Sequence, residues 1–216
     1  MSDVMTRGIV EYGLSLPEEW HVVPADVADV QQWARTTAHD LVRGAGRDDA
    51  APVLVEDAAE VLAEQLSDVA AVVREAGIRS MQTAVLVRRP ESGVVDAMVT
   101  LVAQQGLALD EFAASLAHGV ESTEAFGVVH AGEITGTTDA GQLAGMHLLL
   151  GTAADATLGA GVEVLEERVV LGVFPPGSRD MVEVTAIARS TGTFEDMPQA
   201  MVDLLGGLVI ETEPLA

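Results

Sequence analysis

A chain of 216 residues and 22.5 kDa carries 34 acidic residues against 11 basic ones, a formal charge of −23. Every basic residue is Arg, and Lys, Asn and Cys are absent. This excludes disulfide scaffolds, thiolate metal sites, cysteine nucleophiles, lysine Schiff bases, the P-loop lysine and Asn-linked glycosylation. A hydrophobic content of 49% and a mean hydropathy of +0.30 exclude disorder as the dominant state, and the charge disfavours binding to phosphate backbones.

Residues 7–16 alternate imperfectly and predict a strand ending at Pro17. Pro24, pre-set for a first turn, opens a helical stripe of Val27, Val30, Ala34, Ala38 and Leu41, which Gly44 stops. A loop at 44–49 leads to a longer helix, from about Val53 to Ala76. Its stripe is Val55, Ala59, Leu62, Leu66, Val69 and Val73, and Gly77 stands where a left-handed C-cap belongs. The short connection makes an antiparallel helical hairpin over 24–76 the economical reading.

From Ile78 the period becomes two: a strand to Val87, a turn at Pro90-Glu91-Ser92-Gly93, and a return strand from Val95 to Ala103. A helix over 109–118 closes at Gly119, with His118 at its end. Four strands follow, at 127–133, 142–150, 162–174 and 181–188; Pro175-Pro176-Gly177-Ser178 joins the last two. Thr193 and Asp196 resemble a capping pair for a final helix over 194–205. Either Pro198 sits in its first turns or the helix starts later. With no repeat and no Gly-, Ser- or Pro-rich linker, residues 1–216 are expected to form a single α+β domain. It would have one mostly antiparallel sheet of about six to seven strands, flanked by helices, with an N-terminal helical hairpin.

Two stretches carry a resemblance. One is Leu14-Ser15-Leu16-Pro17-Glu18-Glu19-Trp20, a strand running into Pro-x-x-Trp and an acidic helical pair. The other is the run from Arg168 to Leu208, with Pro175-Pro176-Gly177-Ser178-Arg179, Ser190-Thr191, Asp196 and a closing helix. In element order the chain resembles a functionally uncharacterised group of actinobacterial proteins often found beside genes for type VII secretion or polymorphic toxins. Its C-terminal half, 78–216, is similar to the PsbP-like fold, which elsewhere serves as a binding platform and not as an enzyme. The helical pair at 24–76 is an insertion relative to that fold. The resemblance implies a non-catalytic accessory protein and assigns no functional residue.

The search for chemistry returns little. His21, His39, His118, His130 and His147 form no metal-binding motif, and each has a structural reading as a packed or surface histidine. His130 and Glu133, three apart in a strand, face opposite ways. No Gly-x-Ser-x-Gly elbow occurs; Gly44-Ala45-Gly46 and Gly159-Ala160-Gly161 read as turns, and Asp48-Asp49 lacks the spacing of an EF-hand loop. Glu18-Glu19 and Glu166-Glu167 would serve as acid and base only if the fold buried one of each pair; Glu166-Glu167 reads more simply as one in and one out, or as an edge. No catalytic residue, cofactor or metal site is assigned. The purified protein is expected to hold no tightly bound transition metal, and His130 and His147 are the first residues to inspect should one be found.

A protein partner is the leading expectation. The outer side of the 53–76 helix carries Glu56, Asp57, Glu60, Glu64, Asp68 and Glu75 against Arg74 alone. Glu60, Glu64 and Asp68 are therefore candidate contacts for a basic client, though such a face is also a plain solvated one. Trp33 is a candidate interface anchor or a core residue, whereas Trp20 reads as core at a strand-to-helix junction. A toxin-neutralising immunity protein, and a small-ligand binder or enzyme with a sheet–helix pocket, are the alternatives. No basic, apolar leader precedes the first strand, and the apolar window 143–150 is too short to span a bilayer. No membrane insertion is expected, and the cytoplasm is the expected location; oligomeric state is left open.

Overall fold

The computed structural model describes residues 7–45, 52–122, 127–152 and 164–214. The expected turn at Gly159-Ala160-Gly161, the Asp48-Asp49 pair and Gly46 lie outside them. The chain is α+β, with a seven-stranded antiparallel sheet and a separate two-stranded one. In hydrogen-bonded order the larger sheet runs β2(Trp20–Val23), β3(Gln82–Leu86), β4(Ala97–Gln104), β8(Met181–Ala188), β7(Val164–Phe174), β6(Gly141–Thr152) and β5(Gly127–Thr138). β1(Arg7–Leu14) pairs antiparallel with β9(Leu208–Pro214) in the smaller sheet. Four α-helices are described: α1(Val30–Ala45), α2(Pro52–Ala76), α3(Leu109–Ser122) and α4(Met197–Leu205). Backbone contacts divide the chain into two compact units, Pro17–Thr100 and Met1–Leu16 with Leu101–Ala216.

In the 17–100 unit, α1 and α2 bury an aliphatic stripe in one cluster with β2 and β3. Val30, Ala34, Ala38 and Val42 come from α1; Ala59, Leu62, Leu66, Val69 and Val73 come from α2; Val23 and Val85 come from the strands. The three- and four-residue spacing puts each set on one helix face. β2 and β3 pair antiparallel, Trp20 opposite Leu86 and Val23 opposite Thr83. The return toward β4 is also antiparallel, since Asp96 N donates to Leu86 O at 2.9 Å. Between them a 3-10 turn at Pro90–Ser92 packs on α2. Gln65 holds that turn with both ends of its amide: Nε2 donates to Gly93 O (2.7 Å) and Oε1 accepts from Val95 N (3.2 Å). Gly93 has φ +68°, and a Cβ there would stand 2.9 Å from Ala58 O.

In the other unit β5, β6, β7 and β8 form an antiparallel meander. Leu149 faces His130 on one side and Glu167 on the other, and Glu167 faces Ala188. The β7–β8 hairpin turns at Pro175–Ser178, as its sequence predicts, with Ser178 N donating to Pro175 O. α3 packs Phe112 against Val170 and Met181, edge-on to Phe174 at 5.9 Å between ring centres. Gly172 makes room for these rings: a Cβ there would meet Phe112 Cε1 at 2.9 Å. Asp180 joins distant segments, its Oδ2 accepting from Ile9 N (3.0 Å) and its Oδ1 from Gly106 N (3.3 Å). Arg7 donates to the Thr212 hydroxyl and carbonyl, fixing β1 on β9.

Several elements differ from the sequence expectation. Two strands precede the helices, because Trp20–Val23 pairs with β3 instead of forming a junction. The 7–16 strand belongs to the small sheet, where Leu208–Pro214 (unrecognised beyond Gly206-Gly207) is its partner. The first helix begins at Val30, not Pro24: the Asp29 carboxylate accepts Gln32 N at 2.9 Å, so Asp29 is the effective cap. α3 runs past Gly119 to Ser122, which leaves His118 inside the helix. α4 starts later, at Met197, with Asp196 capping Gln199 N and Pro198 in the first turn.

Gly93→Ala is expected to destabilise the protein by about 1–3 kcal/mol, through a positive φ and the close Ala58 carbonyl. Gly44→Ala, at a helical position with nothing within 4 Å of a Cβ, should be neutral or stabilise by up to about 1 kcal/mol. Urea unfolding of the two variants checks both signs.

Candidate functional site

Burying the aliphatic stripe of α1 and α2 forces their polar positions outward, and the two helices enclose a groove of about 640 Å³. Arg35 and His39, one helical turn apart, line it from α1. Glu60, Glu64 and Asp68, at successive four-residue steps, line it from α2. Ala59 and Ala63 form the floor, where small side chains leave the hollow. Arg35 and the three carboxylates are exposed and make no ion pair or hydrogen bond among the described residues. Their charges are thus free to meet a partner. On the outer stripe of the same helix, Val61 and Val72 are 50% and 61% exposed, three turns apart among Asp57, Glu64 and Asp68.

The structure therefore brings Glu60, Glu64 and Asp68 together at one groove, and places Trp33 apart from it. Trp33 is half-buried against the helical core. Trp20 is buried on β2, in its core role. The sequence reading does not include Arg35 and takes His39 only as a packed or surface histidine; their four-residue spacing on the polar side of the Ala34–Ala38 stripe is the signal that joins them.

A second hollow of the same unit, about 470 Å³, is lined by Glu18, Glu19 and His21 with Asp40 and Leu41 of α1. Burial pushes the His21 pKa below its usual 6.5, since the protonated ring loses hydration there.

In the other unit the adjacent carboxylates Glu166 and Glu167 part across the sheet, as alternate strand residues must. Glu166 accepts from Arg168 at 2.6 Å. Glu167 is buried, and its Oε1 lies 2.9 Å from His147 Nε2. His130, on β5, stands edge-on to His147 with ring centres 5.6 Å apart. No local spacing links these three residues; only the register of β5, β6 and β7 does. Among the described residues no group of three or more His, Cys, Asp or Glu is arranged to hold a metal ion. No described helix is long and apolar enough to cross a membrane.

Comparison with protein-family models gives no match, and comparison with curated proteins gives none either.

The His21 shift has a sign. The unfolded chain takes up the His21 proton near pH 6.5 and the folded chain only at lower pH, so this contribution to stability is present above about 6.5 and is lost as pH falls below it. His21→Gln should accordingly lose less thermal stability than the wild type between pH 7 and pH 5. Parallel melting curves across that interval check the difference, and identical slopes contradict it.

Proposed function

We propose that the chain is a non-catalytic protein-binding protein that docks a basic client on the outer face of α2 and the α1–α2 groove. The observation that carries this reading is the pairing of unsatisfied acids with exposed apolar anchors. Glu60, Glu64 and Asp68 present charge without an internal partner, while Val61 and Val72 stand exposed along the same helix. Protein interfaces combine a small apolar centre with a polar rim, and the rim charges steer encounter and set specificity. The groove is lined mostly by charged and small groups, unlike the apolar clefts that enclose small ligands.

The finer assignments rest on the resemblance. In that reading α1 and α2 are the arms of an inserted helical hairpin and residues 78–216 a PsbP-like platform. The protein acts in the cytoplasm as an accessory of a secretion or toxin system. A toxin-neutralising immunity protein is the same chemistry with a narrower client, in which the acidic face covers a cationic active site. A net charge of −23 supports a protein client over nucleic acid.

Affinity capture from the source cells, with the wild type and a Glu60→Gln, Glu64→Gln, Asp68→Gln variant as paired baits, tests the proposal. A basic protein retained by the wild type and depleted with the variant is expected; equal retention contradicts it. With the captured client, the triple variant should associate severalfold more slowly at low salt and nearly as fast as the wild type at high salt. Its unfolding midpoint should hardly change, because exposed charges contribute little to stability. Stopped-flow rates across a salt series provide the measurement.

A further inference from the structure

The histidines of β5 and β6 hold a second site, independent of the acidic helix. His147 is paired in register with Gly132 and His130 with Leu149, so the two rings project from one face of the sheet as diagonal neighbours. Glu167, opposite Leu149 on β7, projects from that face too. The ring centres lie 5.6 Å apart at an interplanar angle of 66°. Two imidazoles sharing one ion at metal–nitrogen distances of about 2.1 Å have centres about 5 Å apart, close to the separation found here. Gly132 keeps the space open, since a Cβ there would crowd His130 Nε2 at 3.1 Å.

The third residue is what separates this arrangement from two histidines that happen to be neighbours. Glu167 is only 7% exposed, yet its carboxylate is met by His147 Nε2 at 2.9 Å. A buried carboxylate that receives the Nε2 proton fixes the tautomer and leaves Nδ1 as the ring's free lone pair. This is the arrangement in which a carboxylate orients a metal-binding imidazole. His130 is exposed and gives solvent-side access.

We propose that His130 and His147 form a two-imidazole site for a borderline divalent transition-metal ion such as Zn²⁺, with Glu167 as the outer carboxylate that orients His147. Water completes the coordination, so the ion exchanges freely and is lost on dilution or chelation. Such a site agrees with the expectation that no tightly bound metal accompanies the purified protein.

Calorimetric titration of the untagged, chelator-treated full chain with Zn²⁺ tests the site. One ion per chain is expected, bound with micromolar affinity. His130→Ala changes an exposed side chain, should fold normally, and should abolish that binding. Glu167→Gln, which keeps the shape but weakens the acceptor, should reduce affinity by about 10-fold or more. If the buried substitution impairs folding, His130→Gln supplies a second exposed variant with the same expected loss. His118→Ala, at an exposed histidine of α3, should bind as the wild type does. Absence of Zn²⁺ binding by the wild type, or undiminished binding by His130→Ala, overturns the proposal.

Discussion

The aliphatic seam between α1 and α2 is the constraint on which the 17–100 unit depends. Ala34 and Ala38 on one helix, and Ala59 and Ala63 on the other, let the backbones approach while Leu62, Leu66 and Val42 fill the space between and beneath them. Burial of a large aliphatic side chain contributes about 1.5–3 kcal/mol, whereas an exposed ion pair contributes about 1 kcal/mol or less. The apolar stripe therefore dictates how each helix is rotated, and the acids take the positions left over. Glu60, Glu64 and Asp68 are exposed because Ala59, Leu62, Ala63 and Leu66 are not. The alanines that permit close approach also leave the groove floor shallow and open. One packing solution thus sets both the stability of the unit and the character of its outer face.

The other unit solves a different problem. Its meander from β5 to β8 must accommodate bulky residues on neighbouring strands, and glycine relieves the crowding. Gly172 yields to the Phe112 and Phe174 rings, and Gly145 lies directly against the Val170 carbonyl, where no Cβ fits. Asp180 and Arg7 then tie segments that are far apart in sequence, Asp180 by accepting backbone amides and Arg7 by donating to Thr212. In a chain without lysine and with few cations, such hydrogen bonds carry work that ion pairs carry elsewhere. Glu167 is a buried carboxylate of the sheet, met by the His147 imidazole.

Legibility followed the range of the interactions. The α2 helix, the β7–β8 turn and the alternation of β8 were readable because each is set by residues close in sequence. The start of α1 departs from the sequence signal: Pro24 is a strong helix-opening residue, while Asp29 with Gln32 three residues on is weaker in composition but supplies the actual hydrogen bond. β2 and β9 are not legible because each is stabilised by a distant partner, β3 for one and β1 for the other. The acidic trio was visible as a helix face, and its groove was not, since Arg35 and His39 reach it from a different helix. The His130–His147–Glu167 cluster was invisible for the same reason in stronger form. Two strand registers must be known before those side chains meet.

The claim that α2 is the working face rests on Val61 and Val72 being exposed to receive a partner instead of merely unburied. Methyl-resolved NMR of the full chain, before and after addition of the client captured by the wild type, measures this most directly. The account predicts that the Val61 and Val72 methyl signals shift or broaden on binding, while those of Val129 and Val209, equally exposed on β5 and β9, stay in place. Unchanged Val61 and Val72 signals, with the response at Val129 or Val209, would contradict it.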